Sequence, residues 1–371
     1  MIYEKRREKI YEWMARENIA MVMIEDCEQR RDPGLRWLSG HPGDALLFLS
    51  ADKKNLLVPW DANMAALYSR CDAVVPYSEF ERRPIKALRG AAEFLKVQPG
   101  AKIEIPSVTP YPLFLKFIEE ISDFDVLCRD NGAVKEIEKG RAIKDEEEIS
   151  IYRKLSAMTC ELTVLLEENA RSGKIKTEMD AALFIETEAR KRGCEGTGFN
   201  TLAAGPERSF GIHAFPPYTA GAFATPGLSI LDFGLKYLGY TSDVTMTFAK
   251  EPLTKQQEKM ITLVEKAYSL ALSLTDKNVP TRNIAAAVDT YFAKGKKTMP
   301  HALGHGIGLE AHEAPSVRSR ADNEWVLEPG MIITLEPGLY DQVLGGCRLE
   351  NDVLVTETGA EVLTNSRIVR L

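Results

Sequence analysis

The chain has 371 residues, enough for two domains, and its 44% hydrophobic and 27% charged side chains are typical of a globular protein. A net charge of -7 with only short basic clusters argues against a nucleic-acid-binding protein. The charged first residues and the lack of a long apolar run argue against a signal peptide and a membrane span. The six scattered cysteines form no Cys-x-x-Cys pair, so we expect reduced thiols and a cytoplasmic location.

The first part of the chain alternates helical and strand-like patterns. Helical spacing of apolar residues includes Ile10, Trp13 and Met14 and recurs at residues 84–96 and 110–121. Strand patterns fall at residues 19–24, 45–49, 56–60, 102–105 and 124–128. This order predicts an α/β domain with a mixed sheet. The polar stretch 129–139 lacks apolar periodicity, so we place the first domain at residues 1–135 and the second at residues 136–371.

The second part reads as helices beside strands, twice over. Helices are predicted at residues 145–170, at 177–193, from the capping box Thr254-Lys-Gln-Gln257 onward, and at 281–294 before Gly295. Strands rich in β-branched residues are predicted at residues 228–233, 237–248, 331–335 and 352–356. This pattern predicts an α+β domain built from two similar halves.

The same order of residue types occurs in both halves. His213 is followed by Pro226-Gly and then by Asp232 and Asp243. His312 is followed by Pro329-Gly and then by Glu336 and Glu350. Such an internal repeat predicts two similar units related by a pseudo-two-fold axis, with their acidic residues meeting between them.

Three of the five histidines, His301, His305 and His312, lie in one glycine-rich segment upstream of Glu336 and Glu350. Imidazole binds metals and carries protons near neutral pH, so this density indicates a metal or acid-base site. Together with Asp232 and Asp243, Glu336 and Glu350 supply four carboxylates, and such oxygen-rich ligation suits Mn²⁺, Co²⁺ or Fe²⁺ better than a structural zinc ion. Two divalent cations would neutralise four carboxylates.

The region from about residue 139 to the end resembles the pita-bread metallopeptidase family, which includes methionine aminopeptidases, Xaa-Pro aminopeptidases and prolidases. The motifs that carry the resemblance are Asp232-Phe-Gly, Ser242-Asp243-Val-Thr-Met-Thr247, Gly304-His305-Gly-Ile-Gly308, Leu335-Glu336-Pro-Gly338 and Arg348-Leu-Glu350. The first domain, with Leu35-Arg-Trp-Leu-Ser-Gly40, is similar to the creatinase-type domain that precedes the catalytic domain in Xaa-Pro peptidases.

The resemblance implies a role for each site residue. Asp232, Asp243, His305, Glu336 and Glu350 would bind two metal ions, with manganese as the first expectation and Co²⁺, Fe²⁺ or Zn²⁺ as alternatives. A metal-bridging hydroxide would attack the peptide carbonyl, and Glu336 would move its proton. His213 and His312 would contact the substrate and assist catalysis, while His301 would line the substrate pocket. The role of Thr247 is open between support of this site and strand packing.

The family leaves several functions open. We expect an Xaa-Pro aminopeptidase, active on peptides with proline at the second position, with an Xaa-Pro dipeptidase (prolidase) as the alternative. Prolidases often carry an arginine for the dipeptide carboxylate directly after the His-Glu-x-Pro segment, where this chain has Ser316, with Arg318 two residues on. A creatinase-like amidinohydrolase and a non-catalytic binding module are further hypotheses. A homodimer is expected by resemblance, and His41 is read as a turn residue.

Overall fold

The computed structural model describes residues 2–371, which divide into two compact units, one ending at Arg141 and the other running from Ala142 to Leu371. Helices in the described residues are α1 (Ile2–Glu17), α2 (Pro33–Ser39), α3 (Ala62–Tyr68), α4 (Pro84–Phe94), α5 (Tyr111–Glu120), α6 (Ala133–Ala142), α7 (Glu146–Arg171), α8 (Glu178–Lys191), α9 (Lys255–Leu274) and α10 (Thr281–Lys294). None of them is both long and apolar enough to cross a membrane.

Strands of the first unit are β1 (Met21–Asp26), β2 (Ala45–Ser50), β3 (Asn55–Pro59), β4 (Ala73–Val74), β5 (Lys102–Glu104) and β6 (Asp125–Leu127). They form one sheet in the order β4-β3-β2-β1-β5-β6. Strand β2 pairs antiparallel with β1 and β3, whereas β5 pairs parallel with β1 and β6. The sheet is mixed, and the predicted α/β architecture of this unit is confirmed.

The stretch from residue 129 to 139, which we read as aperiodic, contains most of α6. Ala133 and Ile137 are buried one helical turn apart, and Gly140 lies against the ring of Trp37. The apolar stripe consists of so few residues that the surrounding charges hide it in the sequence.

Strands of the second unit are β7 (Gly196–Thr197), β8 (Leu202–Ala204), β9 (Gly227–Phe233), β10 (Leu235–Tyr237), β11 (Tyr240–Thr241), β12 (Val244–Lys250), β13 (Gly304–Gly306), β14 (Glu313–Val317), β15 (Ile332–Leu335), β16 (Gly338–Asp341), β17 (Gly345–Arg348), β18 (Asn351–Thr356), β19 (Gly359–Val362) and β20 (Ile368–Arg370). The two larger sheets have the orders β20-β12-β9-β8 and β14-β13-β15-β18-β19.

The second unit repeats one arrangement, which confirms the predicted α+β fold. In the first half, α7 and α8 precede the antiparallel pair of β9 and β12. In the second half, α9 and α10 precede the antiparallel pair of β15 and β18. Each helix pair buries an apolar face: Leu155 and Ile185 lie in one core cluster, Val264 and Val288 in the other.

One predicted strand, residues 237–248, is wrong as a continuous element. The chain turns at Leu238 and Gly239, both with positive φ, so that β10 and β11 form a short hairpin before β12 begins. Two central residues with positive φ are the mark of a tight hairpin turn, and glycine adopts this conformation without steric cost. The β-branched and aromatic composition on both sides of the turn hides it in the sequence.

Candidate active site

Two strand pairs bring the four predicted acidic ligands to one place. On the first pair, Asp232 lies opposite Thr245, and Asp243 immediately precedes β12. On the second pair, Glu336 follows β15 directly and Glu350 precedes β18 directly. An isolated antiparallel bridge between Thr245 and Glu350 joins the two pairs. The acids therefore converge because equivalent strand ends of the two halves meet.

The imidazole of His305 reaches the same place from β13. Its Nε2 lies 3.8 Å from Asp243 Oδ2 and 3.6 Å from Glu336 Oε1. Ligand atoms of Asp243, His305 and Glu350 all lie within 4.8 Å of one another. These separations suit a group of donors around a cation, which is the arrangement that the sequence predicted for these residues.

The glycines beside His305 allow its strand to pack closely. A Cβ atom on Gly304 would lie 2.0 Å from Thr334 O, and one on Gly306 would lie 2.0 Å from Ala314 O. His305 Nδ1 donates to Gly306 O at 3.1 Å, which leaves the Nε2 lone pair facing the acids. Burial, with a smaller contribution from the nearby His312, lowers the pKa of His305 to about 3. The ring is thus neutral, as a metal ligand must be.

The buried acids repel one another. Burial is the largest cause that raises the pKa of Asp243 and of Glu336 well above the usual carboxyl range, and the charge of Glu350 adds to both shifts. Burial and then the charge of Asp232 raise the pKa of Glu350 to about 7. Within the described residues, Asp232 Oδ1 and Asp243 Oδ1 are buried without a hydrogen-bond partner. Crowded carboxylates with unpartnered oxygens are the surroundings that a divalent cation stabilises, so the residues fit a metal site.

The buried side chain of Arg348 forms hydrogen bonds that link several of these groups. Its Nη2 donates to Asp232 Oδ2 at 2.5 Å, and its Nε donates to Thr245 Oγ1 at 2.8 Å. Thr245 Oγ1 in turn donates to Glu350 Oε2 at 2.7 Å. One guanidinium therefore orients an acid from each half of the fold.

A second line of contacts runs from Arg348 to His301. Arg348 Nη1 donates to the hydroxyl of Tyr340 at 2.8 Å, and this hydroxyl lies 3.0 Å from His301 Nε2. His301 Nδ1 donates to Ala302 O at 2.8 Å and lies 3.7 Å from Glu336 Oε2. Burial, with Arg348 as the next cause, lowers the pKa of His301 to about 4. The ring is neutral and fixed beside Glu336.

The remaining predicted histidines are more open. The ring of His312 lies 4.1 Å from that of His305, centroid to centroid, and His312 is exposed. It is followed by Glu313, whose Oε1 lies 2.9 Å from Lys144 Nζ in an ion pair whose side chains are 6% and 1% exposed. His213 is also exposed, in an irregular loop whose Ile212 O accepts from Arg348 Nη1 at 3.2 Å.

Two other candidates have different surroundings. Thr247 Oγ1 donates to Arg348 O at 2.7 Å and accepts from Arg348 N at 3.0 Å, so it fixes the backbone of the arginine. His41 follows Gly40, the left-handed cap of α2, which agrees with a turn, yet it is only 1% exposed. Neither ring nitrogen of His41 has a hydrogen-bond partner among residues 2–371.

Sequence reasoning missed the contributions of Tyr340, Thr245 and Asp352. Asp352 accepts from Asp243 N at 3.2 Å through Oδ2, and burial raises its pKa well above the usual range. Arg348 was part of the motif Arg348-Leu-Glu350, but sequence reasoning gave it no role. Arg348 could have been found because it is a charged residue in a segment that otherwise has the apolar composition of a buried strand.

Comparison with known proteins decides the family. The model of metallopeptidase family M24 matches residues 150–357, more than half of the chain. The chain belongs to metallopeptidase family M24. The model of the creatinase/prolidase N-terminal domain matches residues 6–101 of this M24 peptidase, as the motifs of its first domain indicated.

Relatives cover the M24 peptidase from end to end. It is 28% identical to the Xaa-Pro dipeptidase of Pyrococcus horikoshii, over 98% of each chain. A prolidase structure from the same organism superposes with a TM-score of 0.82 at 26% identity, covering 98% of this chain and 99% of that one. An X-Pro aminopeptidase structure from Thermotoga maritima gives the same TM-score at 24% identity with the same coverage, which shows a shared fold.

The chain is therefore an enzyme, a metallopeptidase with the pita-bread fold. Its family implies divalent metal ions, and Asp243, His305 and Glu350 form a cluster suited to one. The hypotheses of a metal-free creatinase-like reaction and of a non-catalytic binding module are not supported by this family.

Proposed function

We propose that this M24 peptidase is an Xaa-Pro dipeptidase, which hydrolyses dipeptides whose second residue is proline. The observation that carries the proposal is the end-to-end match to a relative named Xaa-Pro dipeptidase, over 98% of both chains. This reverses the order of our sequence-based expectation, in which an aminopeptidase came first.

We propose two divalent cations, manganese first, bound by Asp232, Asp243, His305, Glu336 and Glu350. Support comes from four clustered carboxylates with one neutral imidazole, whose formal charge two divalent ions would balance. When bound, such ions polarise the scissile carbonyl and lower the pKa of water.

The proposed division of labour among side chains follows their surroundings. Glu336 Oε1 lies 3.6 Å from His305 Nε2, and the Glu336 carboxylate would take a proton from the attacking water and pass it to the departing amine. His301, fixed by Tyr340 and Ala302, lines the pocket on the side of Glu336. The exposed rings of His213 and His312 would contact the substrate carbonyl and stabilise the tetrahedral intermediate.

An Xaa-Pro aminopeptidase is the second candidate, and one observation favours it. The residue after the His312-Glu-Ala-Pro315 segment is Ser316, whose uncharged hydroxyl cannot form an ion pair with the free carboxylate of a dipeptide. An enzyme for longer peptides needs no such pair. Arg318, exposed just after β14, is the nearest cation along the chain.

A substrate panel tests the proposal. Purified enzyme is given Xaa-Pro dipeptides and matching Xaa-Pro-Xaa tripeptides in Mn²⁺ and in Co²⁺, and release of the first residue is followed. Preferred cleavage of dipeptides supports the dipeptidase; equal or better cleavage of tripeptides favours the aminopeptidase. No release from either class with both metals contradicts both candidates.

A matched pair of variants connects the activity to the site. Glu336→Gln should lower kcat by about 10²- to 10⁴-fold, because an amide cannot transfer the proton. Glu328→Gln, an exposed position shortly before β15, serves as the control and should retain full activity. Equal activity of the two variants would remove Glu336 from the proposed mechanism.

A further inference from the structure

The loop that carries His213 is held at both ends by one carboxylate. We call residues 205–221 the His213 loop. Glu178, the first residue of α8, accepts from Gly205 N at 2.8 Å through Oε1. Its Oε2 accepts from Thr219 N at 2.7 Å and from Thr219 Oγ1 at 2.6 Å. Because the side chain of Glu178 is only 1% exposed, water does not compete for these bonds.

Arg208 extends this contact across the His213 loop. Its Nη1 donates to Glu178 Oε2 at 2.6 Å, and its Nη2 donates to Pro216 O. The backbone of the helix adds another bond, from Glu178 N to Gly221 O at 3.0 Å. Glu178 thus gathers four hydrogen bonds on its carboxylate from both sides of the loop.

His213 itself has little else to fix it. The ring of His213 makes no hydrogen bond within residues 2–371, and the residue is exposed. The nearest polar anchor is the carbonyl of Ile212, which accepts from Arg348 Nη1 at 3.2 Å. The position of the His213 ring therefore depends on the backbone of its loop.

In the second half of the repeat, the start of α10 is bonded to the corresponding loop by a threonine instead of a carboxylate. Thr281, the first residue of α10, donates through N to Trp325 O at 2.9 Å and through Oγ1 to Ser316 O at 2.9 Å. The bridges Thr177–Ala222 and Pro280–Val326 occupy corresponding places. A hydroxyl is enough there, whereas the first half buries a carboxylate, which is costly unless every oxygen is well bonded.

We propose that Glu178 is a positioning residue for peptide hydrolysis: it fixes the His213 loop so that the His213 ring stands at the metal centre. The inference rests on the proposed function in one respect, that His213 contacts the substrate. It extends that function by assigning a role in setting activity to the ion pair of buried Glu178 with partly exposed Arg208, two residues remote in sequence from all predicted ligands.

The kinetic test uses two separate single variants, Glu178→Gln and Thr219→Val. The second removes the hydroxyl that donates to Glu178 Oε2, with little change in side-chain volume. Both variants should lower kcat by about 10- to 100-fold, because small misplacements of a catalytic group are expensive. KM should stay within about threefold and metal content should not change, since the predicted ligands lie on other elements. In a His213→Ala background neither change should lower kcat further, because residues acting through one group are not additive.

Glu148→Gln is the matched control, since Glu148 is likewise a buried carboxylate in the first turn of a helix, at 2% exposure, and accepts from Tyr240 OH at 2.9 Å. It should alter thermal stability but not kcat. The inference is overturned if the double variant Glu178→Gln/His213→Ala loses kcat by the product of the two single losses. It is also overturned if Glu178→Gln has the same kcat as Glu148→Gln.

Hydrogen exchange tests the same inference without any substrate. Amides of residues 206–218 should exchange at least about tenfold faster in Thr219→Val and Glu178→Gln than in the wild type, while those of β9 and β12 stay protected. Unchanged exchange in the loop contradicts the inference. If the wild type cleaves no Xaa-Pro peptide, the proposed function fails, whereas the exchange result still decides whether Glu178 fixes the loop.

Discussion

Arg348 shows how single residues organise this site. Its guanidinium donates to Asp232, Thr245 and Tyr340, and through these partners it reaches Glu350 and His301. A planar fork with five donors can make these contacts at once, whereas the ammonium of lysine is a single point. Arg348 is therefore the residue at which the acid cluster and the histidine pocket are joined.

We predict that Arg348→Met lowers the free energy of unfolding by about 3–5 kcal/mol, because Asp232 would remain buried without its cation. Arg348→Lys should fall between this variant and the wild type, since it retains the charge but loses the fork. Urea unfolding of the chelated protein measures both. Arg320→Lys, at an exposed ion pair with Asp322, is the control, and an equal shift there would contradict the prediction.

Helix N-termini are the elements that local sequence specifies best in this chain. Capping boxes begin α7 at Asp145, α8 at Thr177 and α9 at Thr254, each with its side chain bonded to the third helical residue. The predicted capping box Thr254-Lys-Gln-Gln257 is confirmed. Such motifs are local because both partners lie within one turn.

Thr254→Ala should destabilise the protein by about 1 kcal/mol, because the Gln257 amide at the start of α9 loses its acceptor. The kcat should not change, since no predicted ligand or substrate residue lies on α9. Thermal unfolding and the dipeptide assay measure the two quantities. Thr262→Ala, exposed on the same helix, is expected to leave stability within about 0.5 kcal/mol, and a larger loss there than at Thr254 would contradict the cap.

At the scale of the whole molecule, the second unit encloses a concentration of negative charge between its two halves. Burial and mutual repulsion raise the pKa of Asp243 and Glu336, and that of Glu350 to about 7. A group whose pKa is higher in the folded than in the unfolded state stabilises the fold below its unfolded value. That stability is lost as the pH rises through the folded pKa.

The metal-free protein should therefore lose stability as the pH rises from about 4.5 to about 7, the ordinary and the raised pKa of Glu350. Thermal unfolding with chelator and with Mn²⁺ at several pH values measures this, and the gap in Tm should widen toward higher pH. Chelated Glu350→Gln should show a weaker pH dependence. A gap in Tm that is constant across this range would contradict the prediction.

The homodimer expected from the family resemblance stays a prediction, which light scattering on the purified protein would test.

The sequence by itself determined the class of fold, the starts of α7, α8 and α9, and the identity of the four predicted acids and of His305, which the structure brings together. These are encoded in periodicity, in capping boxes and in the repeated order of residue types, all of which can be read without knowing which strands pair. The repeat also indicated that the acids would converge. The hairpin at Leu238 and the helix α6 escaped because composition on either side resembled a strand or a charged linker.

Only the tertiary structure decided what fixes those residues in place. Arg348 bonds to Asp232 across 116 positions, and Lys144 bonds to Glu313 across 169. Glu178, at the start of α8, accepts hydrogen bonds from the backbone of Gly205 and Thr219 in the His213 loop. Such contacts leave no periodic trace, because each is a single pair whose partners are chosen by the packing of the two halves.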